Sequence, residues 1–194
     1  MTDRWEPLAE VIRGCATCPE LVASRSQVVV GENGQAGGLA LVGEAPGARE
    51  DALGRPFVGK AGQLLDTVLT DAGLDRDTVA VLNVLKCRPP RNRVPRPAEI
   101  DNCRHWLVDQ LRLLAPGLVV TLGLTAATWF LGRGVRLASI RASLHPVTPA
   151  EGVTLSVLPT YHPSAAIRFG PNGAPMTALR ADLAEAARLL EVRA

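Results

Sequence analysis

Leu39-Ala40-Leu41-Val42-Gly43 runs directly into Glu44-Ala45-Pro46-Gly47, and the fold is decided at that junction. Apolar or small residues without alternation read as a strand buried on both faces, and the glycines and proline that follow end it in a loop. Moving towards the C-terminus, Leu64, Leu65, Val68, Leu69 and Ala72 recur at helical spacing and Gly73 stops them. Residues 79–85 read as a second buried strand, and Pro97 to Leu114 as a helix that starts on proline. A third strand is expected over Leu118 to Leu122, a short helix over 124–131, and a fourth strand over Val153 to Leu158. Leu179, Leu183, Ala186, Ala187 and Leu190 mark a last amphipathic helix. Strand and helix alternate, and the strands are mostly apolar rather than apolar at every second residue. That pattern implies a parallel sheet with helices on both faces, whose ligand crevice lies outside the carboxyl ends of the strands.

The 194 residues suffice for one compact domain, and we expect a single one over 1–194. With 47% hydrophobic and 21% charged residues, a sizeable core is possible and wholesale disorder is excluded. A net charge of +2, from 21 basic and 19 acidic side chains, excludes a histone-like or acidic-tail protein. No apolar run approaches the roughly 18 to 20 residues of a membrane span, and Met1-Thr2-Asp3-Arg4-Trp5-Glu6 is too polar for a signal peptide. A cytoplasmic chain is expected, in which cysteines are not structural disulfides.

The four cysteines therefore need another explanation. Cys15-x-x-Cys18 lies in an N-terminal loop, while Cys87 and Cys103 are separated by fifteen intervening residues. Two CxxC thiolates plus two more can complete a four-thiolate metal or cluster site, although the second pair is not CxxC as in an ordinary zinc ribbon. Spacing favours such a site over four small buried hydrophobes, and it does not separate zinc from iron–sulfur.

The strand ends carry the remaining signal. The blocks are Gly43-Glu44-Ala45-Pro46-Gly47; Gly54-Arg55-Pro56-Phe57-Val58-Gly59-Lys60-Ala61-Gly62; Asn83-Val84-Leu85-Lys86-Cys87-Arg88-Pro89-Pro90-Arg91-Asn92-Arg93; and His162-Pro163-Ser164. Together with the four cysteines, and collinear over nearly the whole chain, they resemble the family 4 uracil-DNA glycosylases. The resemblance implies a three-layer α/β/α sandwich around a four-stranded parallel sheet. It also implies a structural 4Fe-4S cluster on Cys15, Cys18, Cys87 and Cys103, and hydrolytic removal of uracil from DNA as the start of base-excision repair.

It implies roles for individual residues as well. Phe57 matches the ring that stacks on the flipped uracil. Asn83 matches the amide that reads the base edge; one donor and one acceptor complement uracil O4 and N3–H, whereas cytosine presents the opposite pattern. His162 matches the group that hydrogen-bonds uracil O2 as negative charge develops. Glu44, Ala45 and Pro46 occupy the motif that contacts the base and positions the hydrolytic water, and Glu44 is the candidate general base, since no aspartate of the family 1 kind stands there. Glu50 matches a glutamate that walls off the C5 side of the pocket, against a reading as a solvated charge. His105 and His145 receive no site role.

Lys86, Arg88, Arg91, Arg93 and Arg96 form a run with no acidic member, which reads as a strip for DNA phosphates beside the pocket. Its charge is offset by acids such as Asp182, Glu185 and Glu191 in the last helix. Ser164-Ala165-Ala166-Ile167-Arg168 resembles the loop that enters the minor groove, with Ile167 and Arg168 as contacts. Partners are thus expected to be uracil-containing DNA, single- or double-stranded, and free uracil as product, with a monomeric enzyme and no membrane. Two alternatives accompany this: a cluster-bearing DNA-binding module without turnover, and a family X-like protein trapping DNA covalently. Family X proteins carry a loop histidine, and the comparable loop here, Arg91-Asn92-Arg93-Val94-Pro95-Arg96-Pro97, has none.

Overall fold

The computed structural model describes residues 4–192; Met1, Thr2 and Asp3 of the polar N-terminus, together with Arg193 and Ala194, lie outside them. Helices α1 (Trp5–Arg13) and α2 (Pro19–Ser24) precede β1 (Leu39–Gly43), α3 (Ala48–Leu53), α4 (Lys60–Asp71) and β2 (Ala80–Asn83). Then follow α5 (Pro97–Leu114), β3 (Leu118–Leu122), α6 (Leu124–Leu131), α7 (Leu137–Ile140), β4 (His145–Ala150), β5 (Val153–Thr160), α8 (Pro163–Phe169) and α9 (Ala174–Glu191).

The sheet has the order β2-β1-β3-β5-β4. The first four pair in parallel, β1 with β2 from Ala40–Ala80 to Gly43–Asn83 and with β3 from Leu39–Leu118 to Val42–Thr121. Every residue of β1, β2 and β3 is buried, as the unbroken apolar runs require. The parallel α/β sandwich is therefore present. A fifth strand, absent from the sequence expectation, pairs antiparallel with β5 at the edge. Its sequence, His-Pro-Val-Thr-Pro-Ala, is half-exposed and holds two prolines. Proline cannot donate to a ladder, so such a segment fits an edge strand and carries little strand signal.

Three apolar clusters hold the layers together. On one face of the sheet, Leu65, Val68 and Leu69 of α4 and Leu179 and Leu183 of α9 pack on Leu41, Val81 and Val120. On the other, Leu107 and Leu111 of α5 and Ala126, Trp129 and Phe130 of α6 pack on Val42, Leu82 and Val119. A third joins Ala9, Ile12 and Leu21 of the N-terminal helices to Leu85, Cys87 and Cys103. Because β1 lies between β2 and β3, the chain leaves β1 to one side and later returns to the other. Such a reversal opens a crevice at the carboxyl ends of the strands. No helix among the described residues is long and apolar enough to cross a membrane.

Candidate functional site

A cleft of about 270 Å³ opens at that reversal, lined by Glu44, Ala45, Pro46, Gly47, Glu50, Phe57, Ala61, Asn83, Pro89, Asn92, Arg93, His162 and Ser164. Most of these were expected from the sequence, and they reach the cleft from three strand ends: Glu44 after β1, Asn83 at the last residue of β2, and His162 after β5. Its size is at the small end for ligand pockets and suits one planar ring.

Asn83 is 3% exposed, and no donor or acceptor among the described residues engages its amide. An amide that lines a cleft without a protein partner is left to pair with a ligand or water there. Its backbone carbonyl, by contrast, is tied down: Lys86 Nζ donates to it at 2.9 Å and to Gln110 Oε1 at 2.5 Å, while Gln110 Nε2 donates to the Val30 carbonyl at 2.9 Å. Gly43 admits the rest. A Cβ there would stand 2.5 Å from Asn83 Oδ1 and 2.6 Å from Phe57 Cζ, so only glycine lets the amide and the ring close on one space.

Phe57 adopts φ 51°, a left-handed conformation that costs a bulky residue energy and persists where the surroundings enforce it. Its ring lies 5.6 Å from the His162 ring, tilted by 34°. Glu50 is not a solvated charge: Oε1 accepts from the Val58 and Gly59 N–H groups at 2.9 and 2.8 Å, at the N-terminus of α4. It thereby pins the segment that presents Phe57, while also lining the cleft.

His162 is the N-cap of α8. Its Nδ1 accepts from the Ser164 N–H at 3.1 Å and pairs with the Ser164 hydroxyl at 2.8 Å. Because a backbone N–H donates to Nδ1, the ring proton resides on Nε2. Burial pushes the imidazole down to about 4, against a raising influence from Glu50, so the ring is neutral at pH 7 and donates through Nε2–H. An unfolded histidine titrates near 6.5, so the unfolded chain takes up this proton first. Stability is lost as pH falls from about 6.5 towards 4 and changes no further with this group below that. Urea midpoints measured across that window should converge on those of His162→Gln as the pH falls; parallel curves would show that His162 is not held neutral.

The profile of the uracil DNA glycosylase superfamily matches residues 33–184. The chain is 42% identical over 168 residues to a type-4 uracil-DNA glycosylase of Thermotoga maritima, covering 86% of this chain and 85% of that one. It is 40% identical over 167 residues to the type-4 enzyme of Pyrobaculum aerophilum, covering 84% of each. The chain belongs to the uracil DNA glycosylase superfamily, on its type-4 side. A type-5 uracil-DNA glycosylase of the same Pyrobaculum is more distant, 32% identical over 181 residues and covering 77% of this chain and 78% of that one.

In this superfamily member the expectation of a metal centre is corrected. Among the described residues, no group of three or more His, Cys, Asp or Glu side chains stands where it could hold a metal ion, which overturns the 4Fe-4S assignment on Cys15, Cys18, Cys87 and Cys103. All four are free thiols that line one small cavity with Leu21, Leu85 and Trp106. They have protein partners instead. Arg25 Nη1 donates to Cys87 Sγ at 2.8 Å, the Lys86 N–H to Cys103 Sγ at 3.3 Å, and Asn102 Nδ2 to Cys18 Sγ at 3.5 Å. Burial raises the Cys87 thiol and pushes Cys103 up to about 11. Both are then neutral at pH 7 and pack as small apolar groups in the third cluster.

The basic strip is also smaller than its sequence count. Lys86 is 1% exposed and points inward to Gln110, so it cannot touch a phosphate. Arg93 makes a bidentate pair with Glu99 at 2.6 and 2.9 Å and reaches Glu20 at 3.3 Å; Arg96 pairs with the same Glu20. Arg88 donates to Asn92 Oδ1 at 2.7 Å, and Arg91 is exposed on a left-handed turn with φ 55°. Ile167 is 45% exposed on α8, and Arg168 follows it at the surface; neither lines the cleft. Three groups that shape the site were missed in the sequence. Ser164 stood in a quoted block without a role, Gln110 sits unmarked in a helix, and Thr125 follows the one strand end that displayed no motif.

Proposed function

We propose that the chain is a monofunctional uracil-DNA glycosylase that takes uracil out of the DNA stack and hydrolyses its N-glycosidic bond. The observation that carries this reading is the convergence of an unpartnered Asn83 amide, the Phe57 ring and the His162 Nε2–H on one base-sized cleft. The names of the relatives support it.

The flipped base stacks on Phe57, with its edge against Asn83. Asn83 donates to O4 and accepts from N3–H; cytosine offers a donor where a donor already stands and leaves buried groups unpaired, which is an effective way to reject it. As the bond from C1′ to N1 breaks, the electron pair passes into the base and charge gathers on O2, where His162 Nε2–H donates. A neutral imidazole stabilises that anion without giving up its proton. Glu44, at the mouth of the cleft, accepts the proton of the water that captures the cationic sugar. Ala45 and Pro46 border the base, and the buttressing carboxylate of Glu50 closes the C5 side, where thymine carries its methyl.

Arg88, Arg91 and Arg93 form the phosphate-binding edge, with Arg91 the most available of them, and Ile167 and Arg168 support the opened duplex from α8. The absence of a histidine from Arg91–Pro97 favours free turnover over covalent capture of DNA. The reading takes 1–194 as a single domain acting as a monomer on single- or double-stranded DNA, with free uracil as product.

The test is incubation of the purified protein with oligonucleotides holding one uracil in U·G, U·A or single-stranded context. An alkali-labile abasic site and free uracil are expected. Salt-sensitive binding with no base release would instead identify a DNA-binding module, and a denaturation-resistant adduct would identify a covalent trap.

A further inference from the structure

The junction from β3 into α6, Gly123 and the first helical residues Leu124 and Thr125, contacts two groups of the cleft. Gly123 has φ 93°, and a Cβ on it would stand 3.0 Å from His162 Cβ, so the turn lies against the imidazole. Two residues later the Thr125 hydroxyl donates to Glu44 Oε2. Thr125 is half-buried in the first turn of α6, where Ala126, Ala127, Trp129 and Phe130 are buried against the sheet, so its hydroxyl is carried by a well-anchored helix. No other donor among the described residues engages the Glu44 carboxylate, and Glu44 lines the cleft.

We infer that Thr125 is a positioning residue. By holding Oε2 it fixes the orientation of the Glu44 carboxylate and leaves Oε1 free to accept a proton from water. The inference rests on the proposed role of Glu44. In the step it serves, the N1–C1′ bond breaks with its electron pair passing to the base, and a water oxygen bonds to C1′. One water proton goes to Glu44 Oε1, and Thr125 keeps its own. Without the hydroxyl the carboxylate retains its charge but not its direction, and a small misplacement of a catalytic group is expensive in rate.

The experiment compares wild-type, Thr125→Val, Thr125→Ser, Glu44→Gln and the Thr125→Val/Glu44→Gln double variant on a single-uracil oligonucleotide. Single-turnover rate and DNA affinity are measured separately, and circular dichroism verifies folding. Thr125→Val, which keeps the side-chain shape, should slow the chemical step about 10-fold with little change in affinity, and Thr125→Ser should restore most of it. The double variant should be no slower than Glu44→Gln alone, because a hydroxyl acting only through Glu44 has nothing left to orient. A wild-type rate for Thr125→Val overturns the inference. So does an equal loss in both backgrounds, which would mark a structural threonine. If Glu44→Gln alone keeps the wild-type rate, the reading of Glu44 fails first and the inference falls with it.

Discussion

His162→Ala should lower the single-turnover rate of uracil release by about 10²- to 10³-fold, the usual cost of removing one preorganised donor to a developing anion. DNA affinity should change little. The donor is prepared in the free protein: the Ser164 N–H occupies Nδ1 at 3.1 Å and places the proton on Nε2, and burial holds the ring neutral with its titration near 4. On the proposed mechanism the departing base becomes anionic only as the bond breaks, so the interaction should strengthen in the transition state and be felt in rate more than in binding. His162→Gln can donate from a shorter, unanchored amide and should recover part of the loss. A near-wild-type rate for His162→Ala would remove leaving-group stabilisation from this residue. An equal loss of affinity and rate would make it a binding group.

The second large effect is on stability. Gln110→Leu should destabilise the fold by about 1 to 3 kcal/mol, the cost of leaving a buried polar group without its hydrogen-bond partner. Lys86 is 1% exposed, and Gln110 Oε1, at 2.5 Å, is one of its two hydrogen-bond acceptors. Burial already pulls the ammonium down to about 8, so the site tolerates the charge only with its acceptors in place. Replacing both members, as Lys86→Met/Gln110→Leu, should recover most of the stability, because the desolvated charge is gone as well as its partner. Urea midpoints of the two single variants and the double variant measure this. Simple addition of the single losses would show that the two side chains do not act as a pair. The double variant should also bind uracil-containing DNA more weakly, because Lys86 Nζ holds the Asn83 carbonyl that ends β2.

Three of the parallel strands, β1, β2 and β3, were legible because each is buried on both faces and so is almost wholly apolar, as in Leu118 to Leu122. The edge strand His145–Ala150 was not, since half-exposure and two prolines erase the periodicity that marks a strand. Asn83, Phe57, Glu44 and His162 were legible as blocks at strand ends, where the topology of a parallel sheet gathers side chains from distant parts of the chain. What linear sequence conceals is the direction in which a side chain points. Lys86 counted as one charge in a basic run, yet its partner lies 24 residues away inside α5. Arg93 and Arg96 read as free cations, yet their carboxylate Glu20 lies 73 and 76 residues upstream. The cysteines carried the strongest spacing signal, but their thiols meet Arg25, Asn102 and the Lys86 backbone. Thr125 had no local pattern at all; only the fold brings it to Glu44, 81 residues earlier.

Selection of uracil through the donor and acceptor of Asn83, followed by its release, is the reaction proposed for this cleft. The most direct test is to quantify the free uracil and free cytosine liberated from matched oligonucleotides by the wild-type protein and by Asn83→Asp, side by side. The wild-type should release uracil and no measurable cytosine, and Asn83→Asp, having lost the amide donor, should release uracil more slowly with a narrowed preference over cytosine. Absence of uracil release by the wild-type, or the same preference in both proteins, would contradict it.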